Sequence, residues 1–506
     1  MAIAEQTTTL ALSEKSKLIK SLRRFDMWFF TVCAFVGLDT LGSVASNGAE
    51  GFLWLIVLVV VFVVPYMLMT AEVGAAFTQE GGPYEWVKLA FGRIHGSIFS
   101  ILYWITNPLW VGGSLAFIAH DSWSANIFKI GSGSAGDYVF KLTFIWISIG
   151  VAIVSLRYGK WIPNAGAIVR GIVLGFFSIT VIIYGAKHGV AGFQWGHLSP
   201  TRAVFFALVP LLLFNYVGFE LQNGAAEEME NPQRDVPLSI LRSGITGVLM
   251  YAIPIFCILL VLPANKVTSI GGFIDAVTLT FHGVYGGAAH ALLIVMTLCF
   301  ILALVTSGAV WMIGSDRIQA VCAYDGAFFP YFGVFNRRLG TPVRVNVMSG
   351  VASSIFCVAA IILLRHQSTA NAFTVVLDIA ISTTLLSYLW IFPAVLKLRY
   401  SRPDVPRPYV HPWGIKGLWV STILTTFWIV LGSFEAIFPD VLEKIFGVGY
   451  GFKGTWGVGR GEFEVLTLGT LAVITVFGLV GYYSATHVRE DVAVIGGDAE
   501  TAPAPA

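Results

Sequence analysis

Two stretches of this chain place carboxylates and helix-breaking residues inside otherwise apolar runs. Val36 to Gly48 reads VGLDTLGSVASNG and carries Asp39, Thr40, Gly42 and Ser43. Phe214 to Gly224 reads FNYVGFELQNG and carries Asn215, Gly218 and Glu220. A charge at the centre of a membrane span costs about 2.5–3.5 kcal/mol on insertion scales, so such a group usually faces a polar cavity or a partner. Interrupting a span also frees backbone N–H and C=O groups, which are tolerated only where they line a cavity or meet a ligand. The N–H groups at a half-helix start favour an anion such as a carboxylate, while freed C=O groups favour ammonium or another cation. Two such breaks side by side suit a zwitterion. The competing reading is that the glycines only allow close helix packing. Asp39 either faces the cavity, where it would bind an ammonium or carry a coupling proton, or caps a half-helix.

The elements that must position these residues are membrane helices. Hydrophobic residues make up 56% of the chain and charged residues 12%, against about a quarter charged in soluble proteins. Runs of about 20 apolar residues span a bilayer core. Twelve are expected: 25–47, 51–77, 97–120, 140–156, 166–185, 201–224, 243–263, 287–314, 345–364, 372–397, 416–438 and 464–485. The N-terminus has no signal-peptide pattern. With the N-terminus in the cytoplasm, more than two thirds of the 31 Lys and Arg fall on the cytoplasmic side, as the positive-inside rule requires. An even number of spans then places both termini in the cytoplasm of a multi-pass cell-membrane protein.

The breaks lie in the first and sixth runs, five spans apart. Breaks in corresponding positions point to internal repeats with a binding site at the break. Because each unit holds an odd number of spans, the second is inverted relative to the first. The organisation expected is a tail, 1–24; one unit of five helices, 25–185; a second, inverted unit, 201–397; two added helices, 416–485; and a disordered tail, 486–506.

Four further stretches carry a resemblance. AEVGAAFTQEGGPY, from Ala71, and FNYVGFE followed by EEMENPQRDVP, from Glu227, are similar to signatures of amino acid–polyamine–organocation permeases. DRIQAVCAYDGAFFP, from Asp316, and RYSRPDVPRPYVHPWG, from Arg399, resemble two of their later loops, in the expected order. The resemblance implies an all-α integral membrane protein with an inverted five-helix repeat of leucine-transporter type plus two extra helices. It implies alternating access, in which spans 1, 2, 6 and 7 rock against the rest, and transport of amino acids by proton symport or exchange. Carried over by position, Gly42 and Ser43 would hold substrate through their backbone. Phe214 and Trp311 would be gating aromatics, and Tyr103 a cavity tyrosine. Asp39, Thr40, Asn215, Gly218 and Glu220 complete the expected binding set. A polyamine or diamine exchanger is the alternative, with Asp39 and Glu220 on two cationic ends. A channel or a substrate-sensing transceptor is a further one.

Candidates for coupling to H+ or Na+ are Asp39, Glu220 and Asp378, together with Thr306 and Ser307, whose hydroxyls suit a sodium site. Some proton-coupled relatives place a lysine in span 5, where counting reaches Leu174; Arg170, a turn earlier, is expected at the cytoplasmic end. Glu72 and Glu435 are expected near helix ends. The partners expected are an amino acid or amine substrate and the lipid bilayer. Five cysteines without a CxxC and nine scattered histidines give no metal site, and a net charge of +2 gives no reason to expect nucleic acid. GSGSAG from Gly131 is a formal GxGxxG, but with no strand before it no nucleotide site is expected. No paired nucleophile and base, no HExxH and no cofactor motif point to an enzyme.

Overall fold

The computed structural model describes residues 6–494 apart from 18–19, 21, 159–160, 191–197, 199–200, 364–367 and 450. In chain order the helices are α1 (Thr9–Lys15), α2 (Arg24–Phe35), α3 (Leu41–Ala45), α4 (Gly48–Ala76), α5 (Pro83–Phe91) and α6 (Arg93–Asn126). They continue with α7 (Ala135–Tyr158), α8 (Trp161–His188), α9 (Arg202–Asn215), α10 (Pro232–Val261), α11 (Gly272–Tyr285) and α12 (Ala289–Tyr324). The last are α13 (Val343–Leu363), α14 (Thr369–Ser401), α15 (Gly414–Ile437), α16 (Val441–Ile445), α17 (Phe452–Trp456), α18 (Arg460–Ser484) and α19 (Thr486–Glu490).

Among the described residues, ten helices are long and apolar enough to cross a membrane. The first and sixth apolar runs fall outside that number because both are broken. The first is split into α2 and α3, and the sixth ends as a helix at Asn215 and continues as 3₁₀ turns over Leu221–Glu228. The burial of each helix sorts inner from outer. In their most apolar stretch α6 is 94% buried and α14 83%, whereas α18 is 22% buried and otherwise faces outward. α6 and α14 therefore stand inside the bundle and can present side chains to both breaks.

Two expectations about connections need correction. The segment between the seventh and eighth runs, where no apolar run is expected, contains α11, whose inner face (Phe273, Ile274, Val277, Phe281) is buried. The tail read as disordered from 486 starts as α19 and then strand β2 (Val492–Val494), which pairs antiparallel with strand β1 (Gln6–Thr8). Both ends of the chain thus meet on one face. The rest of the expected disordered tail, 495–506, lies outside the described residues.

On that face the four motif stretches are tied to one another and to neighbouring segments by three ion-paired clusters. Arg317 of α12 donates Nη1 to Glu80 at 2.7 Å and reaches Glu228 at 2.9 Å. Asp325 accepts from the Tyr84 hydroxyl at 2.7 Å and from Arg93 at 3.1 Å. Glu72 pairs with Arg399 at 3.1 Å and accepts the His411 backbone N–H at 2.8 Å. Lys15 of α1 closes onto Glu227 at 2.8 Å. The GGP turn before α5 makes the closeness possible. Gly82 has φ +28°, and a Cβ there would lie 2.6 Å from the main-chain carbonyl oxygen of Asn223. No L side chain fits that position.

Candidate functional site

The first break begins where α2 ends at Phe35 and the chain turns away at Val36 and Gly37. A Cβ at Gly37 would lie 2.9 Å from Asp39 Oδ1, so a side chain there would push the Asp39 carboxylate aside. The second begins after Asn215 and turns at Gly218, with φ +119°, where a Cβ would meet the Trp311 ring at 2.9 Å. Much of the freed backbone is satisfied by side chains rather than left for a ligand. The Gly37 N–H donates to the Tyr251 hydroxyl at 2.8 Å, and the Gly218 and Phe219 N–H groups both donate to Tyr66 at 3.1 Å. Arg170 Nε donates to Val36 O at 3.1 Å, and Trp311 Nε1 to Ala34 O at 2.8 Å. This meets the demand that buried backbone groups be paired.

Between the breaks lies a small chamber. Asp39, Thr40, Phe214, Asn215 and Trp311, all expected from the sequence, line it together with Asn107, Trp110, Tyr251 and Thr384, which were not. Its volume is about 20 Å³, room for about one water. The aromatic rings account for its closure. Trp110 stands edge-on to both Phe214 and Trp311, with centroids 6.2 and 6.4 Å apart. A substrate therefore needs these rings to move.

Asp39 faces the chamber and does not cap the half-helix α3, whose N-cap Thr40 has no side-chain cap. Its Oδ2 accepts from Trp110 Nε1 and from the Ser114 hydroxyl, each at 2.7 Å. Residues 110 and 114 reach one oxygen because Pro108 and the π-turn Val111–Leu115 reshape α6 there, a distortion often found at functional sites. Asp39 Oδ1 has no hydrogen-bond partner, and neither has Asn215 Oδ1 or Nδ2, although all three are buried. Leaving such groups unpaired costs about 1–3 kcal/mol each. A carboxylate oxygen beside an amide, both unspent, matches the donors of an ammonium.

The remaining expected residues sit elsewhere. Glu220 lies beside the chamber, buried under three phenols. Tyr103 and Tyr388 donate to its Oε1 at 2.6 Å, and Tyr66 donates to Oε2. Gly42 and Ser43 do not line the chamber. A Cβ at Gly42 would stand 2.9 Å from the carbonyl oxygens of Thr268 and Ser269, and the Ser43 hydroxyl donates to Ser269 O at 3.1 Å. They fasten α3 to the turn before α11. Asp378 opens to a separate cavity on the face opposite the termini.

Thr306 and Ser307 turn toward a positive charge. Arg170, expected at the cytoplasmic end, is instead fully buried. It donates Nη2 to Ala303 O at 2.7 Å and to the Ser307 hydroxyl, and Nη1 to Thr306 Oγ1 at 3.3 Å and Cys33 Sγ at 2.8 Å. A guanidinium thus occupies the place where a sodium ion would use those hydroxyls. Sequence reasoning missed Arg170, Tyr66 and Tyr251. The available signal for the first was a lone cation nine residues into a helix with no acidic neighbour; the tyrosines give none.

Comparison with known proteins agrees with this architecture. The amino acid permease family model matches residues 22–448. A protein of Lactococcus lactis named a probable agmatine/putrescine antiporter is 29% identical over 382 residues, 75% of this chain and 79% of that one. An uncharacterised transporter of Legionella pneumophila is 30% identical over 412 residues, covering 78% and 84%. A manganese transporter of Eremococcus coleocola, solved with an aromatic bis-isothiourea substituted compound, shares the fold. Its TM-score is 0.57 at 13% identity, covering 92% of this chain and 94% of that one. The paired breaks, the four motifs and the match over most of the chain place this protein in the amino acid permease family, among the secondary transporters of the amino acid–polyamine–organocation superfamily.

Proposed function

We propose that the protein carries amino acids or their amine relatives across the cell membrane by alternating access, with Asp39 receiving the substrate ammonium. The observation that carries this is the unspent Asp39 Oδ1 beside the unspent Asn215 amide, between two broken helices. Residues 25–185 and 201–397 act as the two inverted units, with 416–485 added. The termini share one face, and the basic residues concentrated there favour a cytoplasmic assignment. Because Arg170 already supplies a fixed positive charge to Thr306 and Ser307, transport is sodium-independent. Exchange, or symport with a proton carried by Glu220 or Asp39, remains as the coupling.

Diamine exchange is the second reading. It is favoured by a chamber whose lining includes a carboxylate and, among the described residues, no Lys or Arg. The name of the Lactococcus relative points the same way. Thermal unfolding of the solubilised protein against amino acids, diamines and unrelated metabolites separates the two. A ligand at 100 times its Kd stabilises the folded state by about 2.7 kcal/mol. Stabilisation by zwitterions supports the first reading; by diamines alone, the second. Under the second, Asp39→Asn weakens diamines selectively. Saturable uptake into liposomes that survives Asp39→Asn unaltered for every amine would remove the assignment. Conductance without saturable exchange would replace it with a channel.

A further inference from the structure

Above the chamber, on the face opposite the termini, lies a second cavity of about 300 Å³. Three elements run from one to the other. Ser43 and Ser46 line the outer cavity and Asp39 the chamber; Pro210 and Leu211 the outer cavity and Phe214 the chamber; Asp378 the outer cavity and Thr384 the chamber. Along α14 the last pair is six residues apart, about 9 Å at the helical rise of 1.5 Å. Phe214, three residues beyond Leu211 on α9, thus stands on the chamber side of the outer cavity.

The charge of that cavity is one-sided. Asp378 of α14, Glu435 of α15 and Glu443 of α16 all line it, and no Lys, Arg or His among the described residues does. The three residues are 5%, 3% and 1% exposed. Oδ2 of Asp378 is buried without a hydrogen-bond partner; Glu435 and Glu443 hydrogen-bond to each other through their side chains, which leaves Oε1 of Glu435 and Oε2 of Glu443 without one. The nearby cations are spent elsewhere: Lys444 and Arg460 pair with Asp440, and Arg460 also with Glu464. Burying a carboxyl with no positive partner is costly, and Asp378 with the hydrogen-bonded Glu435–Glu443 pair around one space suits positive charge from outside the chain. A single metal ion does not match, because among the described residues no group of three His, Cys, Asp or Glu is close enough to hold one. Carboxylates spread around a cavity of this size match ammonium groups spread along an organic cation.

We propose that this cavity is an outer binding site for a diamine or polyamine, held by Asp378, Glu435 and Glu443 before it passes Phe214 into the chamber. The role as an entry site rests on the reading of the chain as an amine transporter; the binding itself does not. The test is calorimetric titration of 1,4-diaminobutane and of butylamine into the full-length solubilised protein carrying Asp39→Asn, which disables the chamber carboxylate. The diamine is expected to bind this protein at least ten-fold more tightly than the monoamine. Adding Glu443→Gln should weaken the diamine at least ten-fold. Ser46→Lys, which keeps all three carboxylates and supplies a competing ammonium, should do the same. Absence of diamine binding in Asp39→Asn, or binding that neither added substitution changes, overturns the proposal. If the diamine binds as expected while liposomes take up no amine, the transport reading fails and the outer site stands.

Discussion

Arg170 offers the sharpest test of how the bundle is held at the first break. Its guanidinium ties α8 to Val36 O at the break and to Ala303 O and Thr306 of α12, at 2.7–3.3 Å, and to the Ser307 hydroxyl. Hydrogen bonds from a charged donor contribute about 1.5–3 kcal/mol each, but desolvating the guanidinium takes back several kcal/mol. Removing one partner from such a buried charged arrangement typically costs about 3–5 kcal/mol. Arg170→Ala is therefore expected to lower stability by about that amount. Transport should fall as well, because the same guanidinium ties the first break to α12. The substitution leaves two carbonyl and two hydroxyl oxygens around a space that has lost its cation, and oxygen sets of this kind suit hard cations. Sodium, but not choline, should then recover part of the thermal stability of Arg170→Ala. The wild-type protein should take up substrate equally in sodium and choline buffers. Uptake by the wild type that needs a sodium gradient would refute the reasoning, as would an Arg170→Ala protein that unfolds like the wild type.

Tyr66→Phe should cost about 1–3 kcal/mol for each of the Gly218 and Phe219 N–H groups it strands, read as a drop in the thermal midpoint; an unchanged midpoint would show that water replaces the phenol. Gly218→Ala should be worse than its size suggests, because φ +119° and the Trp311 ring at 2.9 Å both exclude a methyl. The expected result is loss of uptake, which Trp311→Phe in the same protein does not restore, since the backbone strain persists. Gly42→Ala should impair stability through the carbonyls of Thr268 and Ser269 while leaving substrate KM unchanged in whatever protein folds. The Arg317 cluster at the termini face should respond to pH. Burial, with the carboxylates of Glu228 and Glu227 and against the pull of Arg317, raises Glu80 to about 8. The folded state then holds a proton that the unfolded chain releases near its ordinary value of 4.5, so stability falls as pH rises from there to about 8. Glu80→Gln should flatten that slope in thermal scans taken across the range, and an unchanged slope would show that another group is titrating.

The sequence alone determined the membrane class, the apolar runs, the two breaks and the four motifs, because all of these are local. Apolar length, glycine and proline are read within one window of chain. It also brought Asp39, Thr40, Phe214, Asn215 and Trp311 into one expected set, and those five line the chamber. What it could not decide is which face of a helix a residue uses and what meets it there. Gly42 and Ser43 belong to a break, yet they turn toward the backbone before α11. Thr306 and Ser307 carry hydroxyls suited to sodium, yet a guanidinium 137 positions from Ser307 takes their place. Tyr66 and Tyr388 carry no signal singly, and with Tyr103 they become a cage only around Glu220. The four motifs marked the family without disclosing that Arg317 would pair with Glu80 and Glu228, or Asp325 with Tyr84 and Arg93. A helix has one sequence but several faces, and the partner on each face comes from distant chain. Only the packed bundle decides whether a polar atom is spent on another residue or left for a ligand.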